Sequence, residues 1–450
     1  MLSWVGRARL GLCRRQAFAN VRDVNESPVL ALAGLAAIGL LATRLPPVRW
    51  RHATSFDLVL ATGGPLVLLG LVLGPGIDLI NRPVLAALAP VTALAIGWIG
   101  ATLGARFEWR YVRRIGRGTW LLAALAATTA FLVVALGAWL LGRVVPALSA
   151  AWAPRLPAVL TLGAVAAVSG PEVVTLVARV AGVRKSAARA FSLAAALETA
   201  GGALAFTLPL ALHRPYQSAG RVGLDWLAWL VFAVGSGALV GMVFLSLTRG
   251  RPERADVGFA LLATLLFGAG VGYAAELSPF LVCALATALI VNASPRRNAV
   301  RRVLADWERP VDTVFLVIAG ALLTLPTVWL VVAVPLLAAA RAAAKWVAVR
   351  YGSLALQLAG LPPNAGLGTV AQGCAAIAMG LNFLMTYGGV GGGGVLTTVV
   401  LGVATAQLVA PPLMGLALRS TIASPAAPAP LTPIAAPAEL GANAPADWPR

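Results

Sequence analysis

Apolar stretches of about 17–25 residues recur along the whole 450-residue chain, and each is long enough to cross about 30 Å of hydrocarbon as a helix. About thirteen can be marked, near 28–45, 56–74, 83–105, 119–142, 157–180, 187–212, 226–248, 257–275, 279–293, 310–325, 327–349, 365–386 and 395–418. The composition agrees. Hydrophobic residues make up 59% of the chain and charged ones only 11%, whereas a soluble domain carries about a quarter charged. Mean hydropathy is +0.86. The expectation is an all-α polytopic membrane protein in the lipid bilayer.

A net charge of +19 in a soluble protein would suggest nucleic acid. Here the arginines fall in short loops between apolar runs, and no basic and aromatic stripe accompanies them. No nucleic-acid partner is expected. Loops on one side of the thirteen spans hold roughly 23 Lys and Arg, and those on the other side roughly 5. That bias puts the C-terminus in the cytoplasm and the protein in the cell inner membrane. The leader, residues 1–27, holds five arginines on the opposite side but no apolar core of signal-peptide length. Residues 419–450 form a Pro/Ala-rich tail that reads as disordered. Between them, 28–418 reads as one transmembrane domain.

Metal and enzyme chemistry find little support. Cys13, Cys283 and Cys374 are far apart, and His52 and His213 fall near span ends. No Ser/His pair, aspartate pair or metal-ligand set lies at membrane depth, and no cofactor is implied. The run GGVGGGG at Gly388–Gly394 lacks the GK[ST] of a phosphate loop and reads as a flexible outer loop.

The fifth span breaks its own pattern. AAVSGPEVVTL, Ala166–Leu176, puts Ser169, Gly170, Pro171 and Glu172 mid-membrane. Proline has no N–H and clashes with the preceding turn, so an interrupted helix is expected, with its freed backbone facing protein or water. Glu172 then opens the second half-helix, whose N-terminus favours negative charge. The next span carries Glu198 and Thr199, followed by Gly201 and Gly202. An intramembrane carboxylate is costly and marks an ion or proton pathway by default.

PLLAAARAAAKWVAVR adds Arg341 and Lys345, four apart on one helix face. Only Lys185 and Lys345 are lysines in a chain that otherwise uses arginine. An ammonium can lose its proton on burial and a guanidinium cannot, so Lys345 suits a switchable carboxylate. The twelfth span has a polar break of its own at Thr369, Gln372 and Gly373. Two interrupted spans in different halves point to an inverted-repeat secondary transporter, with its site where the broken helices meet.

Several stretches carry a resemblance. PLVLLGLVLGPGIDLI, ALAIGWIGATLGARFEWRYVRR, and LSPFLVCALATALIVNASPRRNAVRRVL followed by VDTVFLVIAGALL resemble, in order and spacing, segments of the monovalent cation/proton antiporter family. The likeness runs from about 56 to 418. It implies about 13 helices, a dimerisation domain, a mobile core with two crossed unwound helices, and a homodimer. Ser169-Gly170-Pro171 falls where the family has Thr-Asp-Pro. Leu197-Glu198-Thr199 falls where it has Asn-Asp or Asp-Asp, and Lys345 matches its basic residue in the second half. Gly170 and Thr199 replace the usual aspartates. Either the transport carboxylate has moved to Glu198, helped by Glu172, or the usual ion chemistry is lost.

The resulting expectation is Na+ or K+/proton antiport by alternating access. Glu198 would bind proton or cation in turn. Lys345 or Arg341 would hold the empty carboxylate, and Ser169, Thr199 and unwound carbonyls would coordinate the cation. A same-fold transporter of another solute, and a non-transporting membrane protein, stand beside it.

Overall fold

The computed structural model describes residues 33–35, 37–38, 41, 63–76, 87–113, 115–180, 185–212, 226–250, 254–275, 277–357 and 361–422. The 1–27 leader, nearly all of the 419–450 tail, and most of the expected first span lie outside them, as do Cys13, His52 and His213. Among the described residues all regular structure is helical. Hydrocarbon offers backbone groups no water, so each helix closes its hydrogen bonds within itself. Seven described helices are long and apolar enough to cross a membrane, and four shorter apolar helices accompany them. The molecule is an all-α, multi-pass membrane protein.

Two bundles emerge from the packing. The first contains α1 (Gly64–Leu71, continued by a π turn at Val72–Gly76) and α2 (Ala89–Gly104). A short α3 (Trp109–Val112) then leads to α4 (Arg117–Val144), which begins the second bundle. After α5 (Pro146–Ala151), α6 (Arg155–Ala167) and α7 (Pro171–Val180) make one interrupted span. The next span is α8 (Lys185–Ala205) with α9 (Thr207–Leu212). The chain then returns to the first bundle as α10 (Trp226–Leu247), α11 (Arg254–Ala274), α12 (Pro279–Ala293) and α13 (Arg297–Ala321). It ends in the second bundle with α14 (Leu330–Ala355), a 3-10 turn at Ala365–Thr369, α15 (Cys374–Tyr387) and α16 (Gly389–Ile422).

The second bundle thus holds two triplets of spans, one from each half of the chain, and the middle member of each is broken. The triplets start an odd number of spans apart, so they run through the bilayer in opposite directions, as an inverted repeat does.

Close helix contact in lipid rests on small residues rather than on hydrophobic drive. In the first bundle α2 lies against α12 along Gly100 and Gly104, four apart on one face. A Cβ on either would come within 2.0 Å of the Phe280 carbonyl oxygen or 2.1 Å of that of Ala284. Just beyond its C-terminal end α2 is tied down by polar contacts. The buried Glu108 accepts from Arg301 at 2.5 Å and pairs with Arg297 at 3.4 Å, while Asn292 brackets the Phe107 carbonyl and the Trp109 N–H.

Two expectations change. The span placed at 310–325 is the apolar second half of α13, which continues unbroken from a basic first half and ends at Ala321. The glycine run at Gly388–Gly394, read as a flexible loop, is almost wholly the start of α16. Its first two glycines, Gly388 and Gly389, take left-handed φ at the turn, and the later ones serve contact: a Cβ on Gly391 or Gly394 would collide with the carbonyls of Ala153 or Ala151.

Gly104→Val should therefore lower the thermal midpoint of the purified protein markedly. Gly402→Ala, whose Cβ would meet nothing within 4 Å, should leave it unchanged or raise stability by up to about 1 kcal/mol through helix propensity. Fluorescence-detected size exclusion after heating measures both.

Candidate functional site

Gly170 and Pro171 stand at the junction that makes α6 and α7 separate helices, although prolines elsewhere, such as Pro310 and Pro335, sit inside continuous ones. Pro171 opens α7, where its fixed φ suits a first turn and its missing N–H costs nothing. The chain ahead of it, Val168–Gly170, is non-helical. The second break, Val370–Gly373, lies between the 3-10 turn and α15. The two unwound segments cross in contact, and the Gly170 N–H donates to the Ala371 carbonyl at 2.9 Å. Nothing larger than glycine fits there. A Cβ on Gly170 would lie 2.6 Å from the Gly373 nitrogen, and one on Gly373 would lie 1.9 Å from Glu172 Oε1.

Unwinding frees carbonyls that lipid cannot satisfy. Arg341, from α14, answers most of them. Its Nε donates to the Ala166 carbonyl at 2.7 Å, one terminal nitrogen to Val370 at 2.5 Å, and the other to Val168 at 2.7 Å. A fixed guanidinium fork suits this task, and a cation near the C-terminal end of α6 is favoured by the helix dipole. Gln372 completes the tie by donating to the Val165 carbonyl at 2.8 Å. The direct contacts of Arg341 are thus these backbone carbonyls and, at 3.5 Å, the Ser169 hydroxyl; its charge also acts on Glu198 without touching it.

Lys345, one turn further along α14, does meet the carboxylate. Its Nζ is 2.5 Å from Glu198 Oε2, 2.5 Å from Ser169 Oγ and 3.3 Å from the Thr369 carbonyl. Ser169 also donates to Glu198 Oε2 at 2.7 Å, an alternative to its bond with the Thr369 carbonyl at 2.6 Å. Thr369 Oγ1 donates to Glu198 Oε1 at 3.0 Å. Both charges are enclosed, with Glu198 1% and Lys345 0% exposed. Thr199 turns its hydroxyl to the carbonyls of Ser169 and Ala195, so it braces the first break and does not touch the carboxylate.

The tertiary structure thus gathers Ser169, Glu198, Thr199, Lys345 and Thr369 at the crossing. Glu172 stands apart from this group. It lies in the first turn of α7, pairs with Arg106 at 3.2 Å, and is 37% exposed. Asp312 and Glu308, on α13, are within electrostatic reach of Glu172 and Arg106, and the Cys374 thiol lies close to Asp312. Sequence reading passed over Asp312. The signal was present, since VDTVFLV places a carboxylate at the edge of an apolar run, as FSLAAALETA does for Glu198.

These features define a membrane protein of two bundles whose second bundle carries two crossed, unwound helices around a buried ion pair. No family model matches the sequence, and no curated protein does. Solved structures do match in fold. The sodium proton antiporter MjNhaP1 from Methanocaldococcus jannaschii, in its structure at pH 8, aligns over 87% of this chain and 98% of its own, with a TM-score of 0.61 and 14% identity. An electron-microscopy structure of the same antiporter aligns over 87% and 97%, with a TM-score of 0.54 and 16% identity. The chain has the fold of that antiporter.

Arg341→Met should strand three buried carbonyls, each costing about 1–3 kcal/mol. A thermal midpoint well below that of the parent is expected, with Arg341→Lys only partly restoring it, because an ammonium cannot span all three directions. Heating the detergent-solubilised variants side by side tests the order.

Proposed function

We propose that the chain is a secondary active transporter in the inner membrane, exchanging a monovalent cation, Na+ or K+, for protons by alternating access, with Glu198 as the shared carboxylate. The observation that carries this reading is the set of oxygens around Lys345. Its ammonium contacts Glu198 Oε2, Ser169 Oγ and the Thr369 carbonyl, and these are hard oxygen donors of the kind an alkali cation accepts. When Lys345 gives up a proton and swings aside, a cation takes the place of the ammonium among the same three atoms. When the proton returns, the ammonium displaces the cation. Proton and cation then compete for one position, and exchange follows.

The half-helix geometry supports the same chemistry. Arg341 satisfies carbonyls of both breaks but keeps its charge, so Glu198 sits between two buried cations, of which Lys345 is the one in direct contact. Thr369 holds the second carboxylate oxygen in place through both states. Proton binding and release at a buried pair lets a small change of occupancy shift the balance between conformations, since each tenfold change in affinity is worth about 1.4 kcal/mol. Two copies associated through the first bundle form the working unit.

A second reading has one observation in its favour. Glu198 is fully engaged and enclosed, while Thr199 contributes no charge. A same-fold carrier of another solute, or a membrane protein that has lost transport, would also keep a closed pair as a structural link. Flux separates the readings.

In proteoliposomes, a Na+ or K+ gradient should drive proton movement in the parent protein. Glu198→Gln should reduce it to the protein-free background; undiminished flux in that variant removes Glu198 from the mechanism. Lys345→Arg, which keeps the charge but cannot release its proton near neutral pH, should be equally inactive. In the parent, one-for-one competition requires apparent cation affinity to weaken about tenfold per unit of acidification. A pH-independent affinity would exclude a shared position.

A further inference from the structure

The Arg106–Glu172 pair differs from the other charge contacts in what it joins. Glu108 with Arg297 and Arg301 lies wholly within the first bundle. Lys345 and Glu198 both belong to the second bundle and travel together in any movement of it. Arg106 follows α2 in the first bundle, whereas Glu172 begins α7 in the second, and their 3.2 Å contact crosses the boundary. We propose that Arg106 and Glu172 form a latch that holds the two bundles together on the arginine-rich side and must open for the second bundle to move. This inference rests on the alternating-access reading above and adds a device outside the Glu198 pocket.

Three features make the pair suited to that task. Both partners are about one-third exposed, at 33% and 37%, so water can replace either at little cost and the contact is reversible. Glu172 is also placed rigidly. It lies in the first turn of α7, and its Oε1 is lodged against Gly373, where any side chain would displace it. Moving the crossing therefore moves the carboxylate.

The boundary is also asymmetric. Among the described residues a cavity of about 610 Å3 separates the bundles at the far side, bordered by Thr92, Leu322, Leu384, Met385 and Gly389 with no charged group on its lining. The arginine-rich side instead brings together Arg106, Glu172, Glu308, Asp312 and the Cys374 thiol. Charge draws the bundles together at one side; towards the other, the buried Asn382–Ser278 hydrogen bond joins them at 3.0 Å and the cavity lies between their ends.

Cys374 supplies a built-in reporter behind the pair. In a Cys13→Ser, Cys283→Ala background, its labelling by a membrane-impermeant maleimide is timed in inside-out vesicles. Arg106→Glu and Glu172→Arg should each speed labelling about two- to fivefold, and the double charge swap should return the rate to that of the background. Arg106→Gln, a milder change, covers the case in which a reversed charge prevents folding. Unaltered labelling in the single variants, or a swap as fast as the singles, overturns the latch. The readout needs no transport. A shift in labelling without cation-driven flux would sink the exchanger reading and keep the latch, whereas normal flux with flat labelling would do the reverse.

Discussion

Unwound backbone in a membrane interior has to find partners within the protein, and the rest of this structure is arranged around that demand. Two spans surrender their helical hydrogen bonds at the same depth. Their freed groups are met by each other, through the Gly170–Ala371 contact, and by Arg341 and Gln372. Without those donors several polar groups would be left in apolar surroundings, at a cost of several kcal/mol. The crossing is thus a polar structure sustained by side chains from α14 and from the second break itself.

A consequence is a division of labour along one face of α14. Arg341 and Lys345 are separated by one helical turn and look alike in sequence. The first has its nitrogens directed to carbonyls and serves as a fixed brace. The second meets a carboxylate, a hydroxyl and one carbonyl, and an ammonium, unlike a guanidinium, is able to give up its proton. With the permanently charged residue on the backbone and the titratable one on the carboxylate, the architecture would stay intact through the proposed exchange.

The two carboxylates singled out in the sequence divide in a similar way. Glu198 is enclosed within one bundle beside its lysine. Glu172, only three residues beyond Ser169, is carried by the start of α7 to the boundary and paired across it. A proline-opened half-helix makes this possible, because residues on either side of the break point into different surroundings. Asp312 on α13 approaches the same boundary from the opposite bundle, so charges from both bundles meet at the arginine-rich side.

Much of this was legible in the chain. Span-length apolar runs fix a helical membrane protein because no soluble core could absorb them, and Ser-Gly-Pro marks the first break because glycine and proline together weaken the helix there, whereas Pro310, Pro335, Pro411 and Pro412 sit inside continuous helices. Glu198 and Lys345 announce themselves as costly groups at depth. Other features were not legible, for definite reasons. The glycine run at the start of α16 carries the same local signal at every position, yet Gly388 and Gly389 supply left-handed φ while Gly391 and Gly394 supply close contact with the carbonyls of Ala153 and Ala151. Arg341 and Lys345 share one helix face, so periodicity cannot say which reaches a carboxylate. That choice, and the separation of Glu172 from Glu198, depend on which distant segments cross at mid-membrane. Local sequence sets the cost of each buried group, and tertiary packing alone sets the partner that offsets it.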